Sequence, residues 1–475
     1  METSAHDFAS PVKPSAHDLA RPVETPIRDF ARPMETPIAD FVRRYAESGA
    51  TRLHMPGHKG VRRLGCEPFD ITEISGVGEL YDDDPESIVA QSERNAAALF
   101  GASRTCYVTE GSSQCIRAMV WLALRARRAE ASPVIVAARN AHRSLLYAAA
   151  LADAQIVWLW PETRDSLCRC DVTPEHLRRT LETLPAPPAA VWMTSPDYLG
   201  GLADIPALAA VCHAFDTPLL VDNAHGAYLR FLRPSRHPLD LGADMCCDSA
   251  HKTFPVLTGG AYLHIRRGGL LERVRDDMKP ALALFGSTSP SWLTLASLDI
   301  CNAYLSDDYP RRLSETVSRL DALRDALRRR QWAVEASDPL RVTLRGDANI
   351  MTERLRRAGI AWEYADRDFL VLMATPDNAP DDFQRVADAL GTNPAPHTPP
   401  PVLPIARAET VLSPRQALAA PHERVSVEDA VGRICAAPMV SCPPAIPVVV
   451  SGERIPPDAL PLFRYAQIRA VDVVL

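Results

Sequence analysis

Between about residue 85 and residue 265, short apolar runs alternate with segments of helical length and pattern. This alternation restricts the fold more tightly than any other feature of the chain. Residues 87–100 read as a helix stopped by Gly101, 105–109 as a strand and 112–128 as a helix. Residues 134–138 (strand), 144–152 (helix) and 155–160 (strand) repeat the pattern, and further short apolar runs fall at 189–194, 218–221 and 245–248. Runs apolar at every position fit strands covered on both faces, and strands separated by helices join in parallel. The expected class is therefore α/β, with a mostly parallel central sheet between two layers of helices.

Flanking segments divide the 475 residues further. An eleven-residue repeat opens the chain: AHDFASPVKPS, AHDLARPVETP, IRDFARPMETP, then IADFVRRYAES. Proline interrupts the first three copies and bars a continuous helix; the fourth has lost its prolines and can form one. Residues 1–35 are expected to be a disordered extension and 36–305 the large domain. Residues 311–331 form a long, arginine-rich amphipathic helix leading into a small α+β domain over 306–392. A stiff Pro-rich linker follows over 393–405, then a C-terminal unit over 406–475.

Composition excludes several classes. With 47% hydrophobic and 23% charged residues the chain is neither disordered nor collagenous. No apolar run approaches the roughly 20 residues that span a bilayer, and the N-terminus lacks a secretory pattern. A net charge of −7 gives no support for nucleic-acid binding, and paired arginines such as Arg127–Arg128 read as solvated helix faces. The eleven cysteines show no paired metal spacing, since Cys168–Arg169–Cys170 and Cys246–Cys247 lack a second half. Reduced cytoplasmic thiols and no metal are expected.

Only four of the 52 lysines and arginines are lysines: Lys13, Lys59, Lys252 and Lys279. Arginine cannot replace lysine's amine chemistry, so a lysine retained in an apolar neighbourhood stands out. Lys252 lies in DSAHKTFPVLTGG, just after a short strand. Thirty residues earlier, PLLVDNAHGAY delivers Asp222 at a strand's C-terminal end, where α/β sheets bind ligands. Earlier still, YVTEGSSQCIRAMV reads as strand, Gly-Ser-Ser turn and helix, which suits a phosphate at the helix N-terminus. Each feature alone is commonly structural. Together and in this order they match pyridoxal phosphate (PLP), which needs a phosphate anchor, a carboxylate on the pyridinium nitrogen and a Schiff-base lysine. His142, in ARNAHRS, is placed to stack on the ring.

These residues resemble the Orn/Lys/Arg decarboxylase family, PLP-dependent enzymes of fold type I. The resemblance runs from about Thr36 to Glu453. It is carried by RLHMPGHKG (52–60), DITEISG (70–76), FGASRT (100–105), TEGSSQ (109–114), TSPDYLG (194–200), VDNAHGA (221–227), SAHKTFPVLTGGAYLHI (249–265), FGSTSPSW (285–292) and PPAIPVVVSGERI (443–455). It implies that Lys252 forms the internal aldimine, Asp222 pairs with the pyridinium nitrogen, His142 stacks on the ring and His225 lies beneath it. Ser112, Ser113, Ser249 and His251 would hold the phosphate. Thr288 would reach a neighbouring subunit's cofactor, making a homodimer the smallest active unit, and Glu453 would face the substrate's distal amine or guanidinium. His54, His58 and Lys59 would line the entrance.

Departures fall at Glu110, Leu199, Asn223, Ala445 and Ser451, which blur substrate identity. The expected activity is α-decarboxylation of a basic amino acid, giving CO2 and a polyamine precursor. Arginine is the first choice, on the short C-terminal unit, then lysine or ornithine. No N-terminal receiver-like domain is read, which favours a dimer or tetramer over a decamer. Two alternatives stay open: another fold-type-I reaction (transamination or β-elimination), marked by an arginine on the substrate α-carboxylate, and an inactive amine-sensing paralogue, marked by loss of Lys252 or Asp222.

Overall fold

A computed structural model describes residues 34–72, 79–127, 133–161, 166–335, 338–393, 407–440 and 446–475. The first two proline-bearing repeats, the third as far as residue 33, nearly all of the Pro-rich linker and Ala445 lie outside the described residues. The fourth repeat forms helix α1 (Pro37–Glu47), whose Ile38, Ala39 and Val42 are buried. Proline stands at its first position, where the missing N–H is no loss. Its cap comes from far along the chain: Asp299 accepts from the backbone N–H of both Ile38 and Ala39, each at 2.9 Å.

The alternation builds a seven-stranded sheet. Its strands are β1 (Arg104–Val108), β2 (Val134–Ala138), β3 (Gln155–Leu159), β4 (Ala190–Thr194), β5 (Leu219–Asp222), β6 (Met245–Asp248) and β7 (Ala261–Ile265). Their order across the sheet is β1-β7-β6-β5-β4-β2-β3. All neighbours pair in parallel except β7, which runs antiparallel to β1 and β6. β4 to β7 are buried almost throughout, which is why their sequences show no polar face.

Helices cover both faces. α2 (Ile88–Phe100) begins where the Ser87 side chain accepts from Ala90 N and ends at Gly101, whose φ of +67° supplies the left-handed C-cap. α3 (Ser112–Arg127) packs its Ile116, Met119, Val120 and Ala123 against one face of the sheet. α4 (Arg143–Ala152) lies beside it. The opposite face is covered by α5 (Pro174–Glu182) and α6 (Ile205–Ala214), through Leu177, Leu181, Leu208 and Cys212.

The predicted long helix is observed over Tyr309–Arg329. It carries the chain into a four-stranded antiparallel sheet holding Arg341–Arg345 and Phe369–Met373. The C-terminal unit has its own core, including Val427, Val449, Ile455 and Phe463. It docks beside α4, where Arg415 donates to the carbonyls of Ala150 and Leu151 at 2.8 and 2.6 Å.

Candidate active site

Four loops leave the sheet at the carboxyl ends of the parallel strands, and the sequence-predicted residues sit on them. Asp222 is the last residue of β5 and is 4% exposed. Its Oδ1 accepts from Ala224 N at 3.2 Å and takes a longer contact from the Cys247 thiol at 3.8 Å. After β6, Ser249 leads into a single helical turn, Ala250–Thr253, that holds His251 and Lys252. Lys252 Nζ lies 3.0 Å from His225 Nε2. Burial lowers the pKa of Lys252, against the opposing pull of Asp222, which favours the neutral amine a nucleophile or base needs. Burial, then the charges of Arg341 and Lys252, drive His225 well below the usual imidazole range. His225 is therefore neutral and accepts from Lys252 through Nε2.

At the end of β1 the chain turns at Gly111, whose φ is +75° and whose N–H donates to Gly259 O at 2.7 Å. Ser112 and Ser113 then open α3, whose first-turn N–H groups lack helical acceptors. Ser249 Oγ donates to Ser112 Oγ at 2.8 Å, which brings β6 and α3 together at one anion cradle. A Cβ at Gly259 would sit 2.3 Å from Thr109 O, so only glycine lets this turn approach. His251 donates through Nδ1 to Gly260 O at 3.0 Å, and burial lowers its pKa. His142 caps α4, its Nδ1 3.0 Å from Ser144 Oγ. The ring is open to solvent on one side, but surrounding protein desolvates it and lowers its pKa, with Asp222 acting in the opposite direction.

This donor set suits PLP: an anion cradle, a carboxylate for a ring N–H, an amine and an imidazole. Buried polar atoms without partners among the described residues sit here too, namely Thr194 Oγ1, Asn140 Oδ1 and His225 Nδ1. Such orphans are groups that a bound polar ligand would satisfy.

Two predicted residues are placed elsewhere. Thr288 is exposed, on a loop whose Ser287 N donates to Glu110 Oε1 at 2.6 Å. Glu453 does not face an open cleft. It is 1% exposed and forms a bidentate pair with Arg139, at 2.7 and 2.8 Å, while also accepting from Val450 N at 2.9 Å. Arg139 in turn lies 4.8 and 4.4 Å from the rings of Trp158 and Trp160. Of the departures, Leu199, Asn223 and Ser451 are buried and Glu110 is exposed. His58 lies 3.2 Å from Asp70 on the loop that also holds His54 and Lys59.

Sequence reasoning missed a group contributed largely by the small domain. Tyr198 packs its ring edge-on to His225, at 5.3 Å, and donates to Glu363 Oε1 at 2.8 Å. Glu363 is exposed and raises the Lys252 pKa electrostatically. Arg341 is 3% exposed, donates to Asp197 O and lies 3.5 Å from Asp338. Its Nη2 is buried without a hydrogen-bond partner among the described residues. Among 48 arginines, no sequence signal separates this one.

Comparison with known proteins agrees with this fold. Residues 36–364 match the model of the Orn/Lys/Arg decarboxylase major domain, and residues 405–471 that of its C-terminal domain. An arginine decarboxylase of Bacillus subtilis (strain 168) is 27% identical over 456 residues, covering 87% of this chain and 90% of the relative. Among solved structures, the lysine decarboxylase LdcF of Francisella novicida superposes with a TM-score of 0.76 at 15% identity, covering 93% of this chain and 81% of that one. A serine palmitoyltransferase of Sphingomonas wittichii shares the fold less closely, with a TM-score of 0.53, 15% identity and coverage of 75% and 83%.

Proposed function

The chain belongs to the Orn/Lys/Arg decarboxylase family and is a PLP-dependent decarboxylase, and we propose that it removes the α-carboxylate of a basic amino acid, arginine first and then lysine or ornithine. The observation that carries this reading is the convergence of Lys252, Asp222, His142 and the Ser112–Ser249 cradle on one edge of the sheet. The amino-acid preference draws support from the arginine decarboxylases among its relatives. The Glu363 carboxylate, exposed within electrostatic reach of Lys252, is a second support, since it can meet a distal cation.

Bound PLP supplies an electron sink for the pair left at Cα when CO2 departs. The protein does the rest. Asp222 would keep a proton on the ring nitrogen. Ser112, Ser113, Ser249, His251 and the α3 N-terminus would hold the phosphate, and His142 would cover the ring. The Lys252 amine, its pKa lowered by burial, takes a proton and returns it to Cα, with His225 Nε2 steering its Nζ. Net, one proton replaces the carboxylate: the amino acid and H+ give the amine and CO2. A basic substrate makes the product a diamine or polyamine precursor, made in the cytoplasm by a homodimer or larger assembly in which Thr288 reaches the neighbouring site.

One observation favours a second reading. The unpartnered Nη2 of Arg341 is the kind of group that clamps an α-carboxylate, and a clamped carboxylate favours transamination or β-elimination over its loss. Product analysis separates the two. Incubation with arginine yields the decarboxylated amine and CO2 in equal amounts on the first reading. A 2-keto acid without CO2 supports transamination; β-elimination needs a leaving group on Cβ, which arginine lacks, and would show as ammonia and pyruvate from serine.

A further inference from the structure

Asp248, the last residue of β6, takes no part in the chemistry above and is fully buried. Its Oδ1 accepts from Asn223 Nδ2 at 2.7 Å. Its Oδ2 accepts from His237 Nε2 at 3.0 Å and lies 3.3 Å from His264 Nε2. All four residues are 0% exposed. His264 stands on β7 and its Nδ1 lies 2.8 Å from Thr105 Oγ1 on β1, so the cluster touches three adjacent strands. The Phe100 ring seals it, 4.4 Å from the His264 ring and 5.4 Å from that of His237. Burial alone would raise the Asp248 carboxyl. The charge and hydrogen bonds of His237, then those of His264, outweigh it and hold the group well below the usual carboxylate range.

The cluster's place in the ladder gives it a job. β5 and β6 pair through Asp222↔Cys247, and one more backbone bond follows, from Asn223 N to Cys247 O at 3.0 Å. There the two strands part to form the cofactor loops. The next link between them is the side-chain bond from Asn223 to Asp248. Successive residues point to opposite faces of a sheet. Asp222 meets Cys247 on one face, and Asn223 meets Asp248 on the other. On the β5 side, Asn223 O also accepts from Gly226 N at 2.8 Å, closing the turn that holds His225. On the β6 side, Asp248 directly precedes Ser249 and the helical turn of Lys252.

We propose that Asp248 is a positioning residue: from the sheet face opposite the cofactor, its carboxylate fastens Asn223 to His237, with His264 packed beside it, and so fixes the strand end bearing Asp222 and His225 against the one bearing Ser249 and Lys252. This rests on the reading of those four residues as cofactor-binding. It also explains the departure at Asn223, which is a donor to Asp248 and not a substrate contact.

The test uses the full-length protein, stripped of PLP and titrated back, with PLP affinity read from its visible absorbance. Asn223→Leu removes the link without adding charge. Asn223→Asp sets a second carboxylate against Asp248. Each is expected to weaken PLP binding and lower turnover by roughly tenfold or more, as misplacement of a reacting group does. The double variant Asn223→Asp/Asp248→Asn restores one donor facing one acceptor, with polarity reversed, and is expected to recover both within about threefold of the parent. Folding is checked by circular dichroism. If Asn223→Leu binds PLP as tightly as the parent and turns over equally fast, the proposal fails. A folded double variant no better than Asn223→Asp also overturns it, as does about one equivalent of zinc in the purified parent, which would make the cluster a metal site. A parent protein that binds no PLP condemns the underlying cofactor reading instead.

Discussion

Lys252 and His225 stand 3.0 Å apart with the proton on the lysine side, because burial keeps the imidazole neutral. Borohydride should fix PLP to the parent protein at Lys252, and Lys252→Ala should abolish both the fixation and turnover, by about 10³-fold or more. Peptide mapping of the reduced protein checks the site. The lysine was legible because so few lysines compete with it. Arg341, one of 48 arginines, was not, and neither was the burial of Glu453 against an arginine 314 residues away. The acid was visible in the sequence. Its partner depends on how the C-terminal unit docks, which no local pattern encodes.

Elements show the same division. The parallel strands were legible because burial on both faces demands unbroken apolar runs. The direction of β7 was not, since an antiparallel strand buried on both faces has the same composition. Two long-range contacts carry predictions here. Arg139, at the end of β2, and Glu453 of the C-terminal unit form a buried pair that also steadies the loop leading to His142. Glu453→Ala leaves the guanidinium buried and uncompensated and should cost about 3–5 kcal/mol. Chemical denaturation measures this, and Arg139→Met with Glu453→Leu should recover most of it. The second contact is the Asp299 cap on α1. Burial raises its pKa to about 6, so between pH 4 and 6 the folded chain binds more protons than the unfolded one. Stability should therefore fall as pH rises through that window. Asp299→Asn keeps an acceptor for the helix and should remove that part of the slope, which thermal melts at pH 4, 5, 6 and 7 will show.

At the scale of the whole molecule, large apolar side chains lie open on one segment of the large domain: Leu53 is 91% exposed, Leu64 89% and Met55 69%. Together with the exposed loop of Thr288 they suit burial against a second copy. Sedimentation should give a homodimer or larger, and Leu53→Glu with Leu64→Glu should shift it toward monomer and lower activity. Among the described residues, no helix is long and apolar enough to cross a membrane. The long helix of the small domain was readable from its amphipathic, arginine-rich pattern. The closing of the small domain over Lys252, through Tyr198, Glu363 and Arg341, was not, because it joins segments far apart in the chain. On the function proposed above, this assembly strips CO2 from a basic amino acid. The most direct test is the initial rate of CO2 release by the PLP-loaded protein, measured against arginine, lysine, ornithine and a panel of neutral amino acids. Release from a basic amino acid, arginine foremost, that is lost in Lys252→Ala is the predicted result. No release from any of them by a protein that demonstrably holds PLP at Lys252 would contradict it.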